Sequence, residues 1–443
     1  MKSQMKSQIR SQANSQVASQ IGSQIVLHYD APHQFEPLMP SELAIAPLLE
    51  QASDLTRAAT ALASATADAA RQEMRVLLRS MNSYYTNRIE GEHTRPSEID
   101  SALAKDFSAK PDLARRQRLA VAHIQSEEHC ETLLNDKAAA GVDAPRALYD
   151  TAALTWLHGC LFRVLPASDR VLSDQSLLTP GALRQRAVAV GRHEAPTAAS
   201  VPAFLQRWAQ AYGGVRRGEA AIVAAAASHH RLAWVHPFAD GNGRVARLHT
   251  HLLLHAMGLT GGLWSPLRGF ARSEQRYKNL LQAADEPRRG ALDGRGNLSQ
   301  AALVDWISYT LDICIDQIHF MRQQLDVRGM RGRIAAALAT EEQALKTGVR
   351  QEALVPLHYL FSAQPDMPRA EFKAMTGLGE RVATSLVSAL LERGFLASDS
   401  PYGRVRFAVP RHALRFYFPA LWPEAEQEQA ALLVQQHGLI PRP

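Results

Sequence analysis

The chain has 443 residues, 46% hydrophobic and 21% charged, with 49 Lys+Arg against 43 Asp+Glu for a formal net charge of +6. At about 150 residues per domain this is enough for two or three domains with buried cores, and the composition excludes fibrous and wholly disordered classes. A balance this mild permits nucleic acid or an acidic partner without requiring either.

The chain opens on MKSQMKSQIRSQANSQVASQIGSQ, Ser-Gln pairs with almost no bulky core-forming residues. It lacks the continuous apolar stretch of a secretory signal, and residues 1–27 are expected to be a low-complexity, disordered tail. No apolar run reaches the ~18 residues of a membrane span. Cys130, Cys160 and Cys314 form neither a CxxC pair nor a disulfide framework, so a reducing cytoplasm is expected.

From about Ile25 the composition turns ordinary. Helical spacing covers 41–79, 113–137 and 146–165. Between Pro180 and Pro202 the run ALRQRAVAVGRHEAP alternates around Gly191 and reads as a short β-hairpin or flap. Helices are expected again over 203–213 and 217–233, then after HPFADGNGR as VARLHTHLLLHAMG, and over 272–285 and 299–325. The remainder to about 418 reads as three short helices and two strand-like runs. The expected fold is mainly α, divided into 28–145, 146–326, 327–418 and a tail 419–443.

The segment His236-Pro237-Phe238-Ala239-Asp240-Gly241-Asn242-Gly243-Arg244-Val245-Ala246-Arg247 gathers the chemistry. Gly241 and Gly243 allow positive φ and close approach, and N–H groups feeding a helix start form an anion cradle. Arg244 and Arg247, three apart, can project from one helix face toward phosphates. Asp240 offers a hard oxygen to Mg²⁺, and His236 can serve as a general base. A plain interhelical turn would rarely collect base, carboxylate, cradle and two arginines in twelve residues.

This segment resembles the Fic-family active-site motif, HxFx(D/E)GNGRxxR, at every defined position, and the resemblance extends over about 30–325. It implies a protein adenylyltransferase using ATP and Mg²⁺. His236 would then deprotonate a Ser, Thr or Tyr hydroxyl on a target protein, which attacks the α-phosphate. By the same resemblance Asp240 holds Mg²⁺, Asn242 and nearby amides steady the α-phosphate, and Gly241, Gly243 and Arg244 cradle the α- and β-phosphates. Arg247 reaches the γ-phosphate. Val188, Ala189 and Val190 become the edge that clamps the target by strand addition. Tyr277 falls near the adenine position, though a core tyrosine fits equally well, and His229 matches a packing histidine.

Thr86-Asn87-Arg88-Ile89-Glu90-Gly91 fits the family's inhibitory pattern [S/T]xxxE[G/N]. The resemblance implies that Glu90 pairs with Arg247 in the γ-phosphate subsite and inhibits transfer. In some relatives the same glutamate supports removal of AMP. His251 and His255 have a metal-compatible helical spacing, yet no glutamate follows His251 as in HExxH and no cysteine is near, so the sequence does not favour zinc.

Residues 327–418 resemble the winged helix-turn-helix that many Fic proteins carry. Arg381, Thr384 and Ser385 would face a DNA groove, with Arg404 and Arg406 on the wing; a protein-docking use of the same unit is the alternative. This segment through Arg415 holds 13 basic and 8 acidic residues, whereas 25–326 is balanced at 32 each. Two other functions stay open: a DNA-binding regulator with a nucleotide-responsive core, and phosphoryl transfer as in the Doc branch. The Doc loop has a lysine for the second glycine, which Gly243 argues against. Self-association through the core is also expected from the resemblance.

Overall fold

A computed structural model describes residues 29–215 and 217–421. The Ser-Gln tail and nearly all of the expected C-terminal tail lie outside the described residues. The fold is mainly helical, with two small antiparallel hairpins. Among the described residues no helix is long and apolar enough to cross a membrane.

The first expected helix is two, α1 (Glu42–Ala65) and α2 (Asp68–Ile89), parted where Thr66 and Ala67 take extended backbone. Then come α3 (Pro96–Leu103) and the long α4 (Pro111–Ala139). The expected helix over 146–165 is likewise split, into α5 (Ala144–Leu148) and α6 (Thr151–Arg163). Asp150 sits at the break and accepts the Ala152 N–H at 2.9 Å, so a side-chain cap starts the second helix. The expected hairpin forms as β1 (Ala189–Val190) and β2 (His193–Glu194), turning at Gly191 with φ of +59°.

After α7 (Val201–Gly213) come α8 (Glu219–Val235) and α9 (Asn242–Ala256), the pair that brackets the motif. Helix α8 is apolar or small on nearly every side, and it is buried nearly all round. Helices α7 and α12 (Gln300–Gln324) anchor on it by indole donors, Trp208 Nε1 to the Ser228 carbonyl (3.1 Å) and Trp306 Nε1 to the Ala226 carbonyl (2.7 Å). Between α9 and α12 lie α10 (Leu267–Arg272) and α11 (Glu274–Asp285), separated at Ser273. The motif loop thus leaves a helix that is buried nearly all round and tied to two neighbours by indole hydrogen bonds.

The C-terminal part begins with α13 (Val327–Ala339), a helix the sequence reading did not mark. It continues through α14 (Leu354–Ser362), α15 (Arg369–Thr376) and α16 (Glu380–Glu392) to the hairpin β3 (Leu396–Ala397) and β4 (Arg406–Phe407), and ends at α17 (Leu414–Tyr417). This part packs on α2: the Val409 N–H donates to Glu73 Oε2 (3.0 Å), and the Tyr85 hydroxyl donates to the Leu421 carbonyl (2.9 Å).

Candidate active site

His236 terminates α8 in the left-handed region (φ 49°, ψ 61°), where its N–H still bonds the Leu232 carbonyl. That conformation turns the chain out of the helix. The Nδ1 atom lies 3.3 Å from the Ala233 carbonyl, which favours the proton on Nδ1 and leaves Nε2 with its lone pair. Burial pushes the imidazole down to about 4, so at neutral pH it is the unprotonated, basic form.

The loop from Pro237 to Gly241 is held from within and from outside. Inside, Asn242 spends both ends of its carboxamide on Phe238: Oδ1 accepts that residue's N–H (2.9 Å) and Nδ2 donates to its carbonyl (2.8 Å). The Asn242 side chain, expected to steady a phosphate, is therefore committed to loop shape. Only its backbone N–H, at the start of α9, stays in the cradle.

From outside, His158 of α6 accepts the Gly181 N–H at Nδ1 (2.8 Å), so its Nε2 bears the proton and donates to the Asp240 carbonyl (3.2 Å). Its ring stacks on Phe238 with centroids 4.1 Å apart. Arg184 ties the hairpin's base to the loop, donating from Nε to the His236 carbonyl (2.7 Å), while its own N–H bonds the Pro237 carbonyl (2.9 Å). The sequence reading missed both residues. Neither falls within the motif, and only their bonds to loop carbonyls reveal the role.

The two glycines do separate work. Gly241 has φ of +79°, and an added Cβ would also strike the Phe162 ring. Gly243 lies inside the helix, and its missing Cβ leaves the space that Glu90 and Arg247 occupy. Asp240 is half-exposed, with Oδ1 taking the Gly241 N–H (2.6 Å) and Oδ2 3.6 Å from the Arg244 guanidinium. Arg244 is buried against Phe162, and its Nε has no hydrogen-bond partner.

Arg247 is fully buried and held by the segment singled out at 86–91. Its Nε donates to Thr86 Oγ1 (2.8 Å), one guanidinium nitrogen to the Thr86 carbonyl (3.2 Å), and the same nitrogen pairs with Glu90 Oε1. Burial opposes the charge on Glu90, but Arg247 and Arg244 outweigh it and hold the carboxyl below the ordinary range. The same pairing raises Arg247 against its own burial.

These groups line a cavity of about 590 Å³ bounded by Glu90, His193, His236, Gly243, Arg247 and Tyr277, among others. Tyr277 is buried, its hydroxyl 3.0 Å from His229 Nε2, and it forms part of the wall. On the other side of the loop a groove of about 700 Å³ runs along residues 171–188 and reaches Asp240. Val188 lines that groove, and its carbonyl accepts the Ala195 N–H (3.1 Å), extending the hairpin beyond Ala189 and Val190.

In the C-terminal part, Arg381, Thr384 and Ser385 are exposed on α16. Arg404 pairs with Asp366 at 2.6 Å and Arg406 with Asp399, so both hairpin arginines are already matched by acid.

Residues 149–254 match the model of the Fic/DOC family. The chain is similar to the protein adenylyltransferase Fic of Drosophila mojavensis, 28% identical over 170 residues that cover 38% of this chain and 32% of that relative. The protein of the same name from Drosophila willistoni is 24% identical over 254 residues, covering 57% of this chain and 46% of the relative. The matches thus span less than half the length of either relative. A solved Fic family protein from Desulfovibrio desulfuricans G20 aligns over 86% of this chain and 98% of its own, at 18% identity and a TM-score of 0.47. The matched segment 149–254 takes in His158, the hairpin, the loop and most of α9, and it is this part of the chain that is similar to the Fic/DOC family.

Proposed function

We propose that this protein is an adenylyltransferase that moves AMP from ATP to a hydroxyl side chain of a target protein, and that Glu90 restrains it. The observation that carries the reading is one cavity bounded at once by an unprotonated His236 and by a glycine-bearing helix start with Arg247. ATP would lie with its phosphates on that helix start. The target hydroxyl would arrive from the groove beside the hairpin, with β1 and Val188 as the docking edge. His236 Nε2 takes the hydroxyl proton, the oxygen bonds to the α-phosphorus, and the bond to the bridging oxygen breaks to release pyrophosphate.

The Asp240 carboxylate is half-exposed at the loop and keeps free lone pairs, which suits it to hold Mg²⁺. The ion, when bound, neutralises phosphate charge. Glu90 competes with the γ-phosphate for the Arg247 guanidinium, since one fork cannot serve both anions. The same carboxylate could orient a water for AMP removal, a second use of this site.

Phosphoryl transfer is disfavoured by the crowding at Gly243, where any side chain meets Glu90. The matched hairpin arginines favour a protein contact over DNA for the C-terminal part. The reaction type is tested by giving Glu90→Gly protein ATP labelled at the α- or the γ-phosphorus. Label carried over from the α position alone supports adenylyl transfer; label from the γ position alone refutes it.

A further inference from the structure

A second polar cluster lies between α4 and α9. Helix α4 presents His123, Glu127 and Glu131 at four-residue steps along one face, and α9 brings His251 against them. All four side chains are 2% exposed or less. His251 Nε2 lies 3.4 Å from Glu127 Oε1 and 3.3 Å from Glu131 Oε1, and all three atoms fall within 4.8 Å of one another.

These separations are wide for a protonated imidazole gripping a carboxylate, which closes to about 2.7–2.9 Å. One N–H also cannot point squarely at two oxygens. Bonds of about 2.0–2.2 Å from a tetrahedral ion, by contrast, set neighbouring ligand atoms about 3.3–3.5 Å apart.

Both carboxylates are held by neighbours, Glu127 through the oxygen that faces His251 and Glu131 through its other oxygen. Asn82 Nδ2 donates to Glu127 Oε1 (2.8 Å), and Arg79 donates from Nε and a terminal nitrogen to Glu131 Oε2 (3.0 and 2.8 Å), leaving Glu131 Oε1 toward His251. Such outer partners are what hold metal ligands in place. An independent sign is His123. It is 1% exposed, neither ring nitrogen has a hydrogen-bond partner, and Nδ1 sits 3.7 Å from an equally unpartnered Glu127 Oε2. Burying an imidazole and a carboxylate oxygen unsatisfied is costly unless something occupies the gap between them.

We infer that Glu127, Glu131 and His251, with a water as the fourth ligand, form a site for one transition-metal dication of the zinc class. Mixed imidazole and carboxylate donors suit zinc, whereas Mg²⁺ prefers a nearly all-oxygen octahedron. The site is thus chemically distinct from the Asp240 position, and it stands whether or not the chain transfers AMP. Because Arg79 and Asn82 belong to α2, an ion here would fasten the helix that carries Thr86 and Glu90 to the core. The sequence hid the site because its carboxylates lie about 120 residues upstream of His251.

The full-length protein, stripped with a chelator, is titrated with Zn²⁺ against a chromophoric competitor in the presence of Mg²⁺. One ion per chain is expected, bound at least 100-fold more weakly by Glu127→Gln and unchanged in Asp240→Ala. Equal affinity in wild type and Glu127→Gln, or no binding by wild type, overturns the site. Two readings on wild type alone guard against a variant that fails to fold. Co²⁺ should give the intense visible bands of a four-coordinate ion, and Zn²⁺ should raise the melting temperature. A weak six-coordinate spectrum, or no rise in melting temperature, contradicts the inference.

Discussion

At the scale of single residues, the loop depends on neighbours that do no chemistry. His158 fixes the Asp240 carbonyl and stacks on Phe238, so it sets where the loop's own groups point. His158→Ala should lower kcat for AMP transfer by roughly 10²-fold, the effect of an ångström-scale misplacement. The KM for ATP should move much less, and the steady-state parameters of the Glu90→Gly background would report the split. His236 makes a second prediction. With its pKa pushed down to about 4, the basic form persists through mildly acidic pH. The transfer rate of Glu90→Gly should therefore hold steady from pH 8 to 6, and its acid limb should fall well below the ordinary histidine value of 6.5. A midpoint near 6.5 would show that His236 is solvated where it acts.

At the scale of elements, α2 explains why the inhibitory pattern needs its spacing. Thr86 and Glu90 are four apart, hence on one face, and that face meets Arg247 with a hydroxyl, a carbonyl and a carboxylate. Thr86→Val removes only the hydroxyl. Transfer should rise above wild type but stay below Glu90→Gly, as measured by labelled AMP on the protein itself.

Much of this was legible beforehand. The motif loop, the hairpin turning at Gly191 and the Thr86–Glu90 segment all lie where the sequence puts them, because each is specified locally by glycine, spacing and charge. What escaped is long-range. Thr66–Ala67 and Asp150 break expected helices through extended residues and a side-chain cap that periodicity does not register. His158, Arg184 and the α4–α9 cluster act through contacts between segments far apart in the chain, and Asn242 is engaged by a backbone that only folding brings to it. The C-terminal elements appear in the expected order, but pairing of Arg404 and Arg406 with aspartates was not predictable from a count of charges.

At the scale of the whole molecule, the buried histidines tie stability to pH. Burial lowers His158, His229 and His236 in the fold, the first and last to about 4, while the unfolded chain titrates near 6.5. Between those values the unfolded state binds more protons, so the contribution is complete above pH 6.5 and is lost as pH falls toward 4. The melting temperature should thus drop progressively from pH 7 to 5, and a flat profile would contradict the burial of these rings as neutral groups. The C-terminal part rests on α2 through Glu73 and Tyr85, so the restraint on Arg247 belongs to a helix that the C-terminal part also braces. The account comes down to one carboxylate and one imidazole on a shared cavity. Its most direct test is the rate of AMP incorporation by wild type, Glu90→Gly and Glu90→Gly/His236→Ala side by side. The prediction is little incorporation by wild type, a gain of at least 10-fold on removing Glu90, and loss of that gain when His236 is also removed. Equal rates in wild type and Glu90→Gly, or full activity without His236, would contradict it.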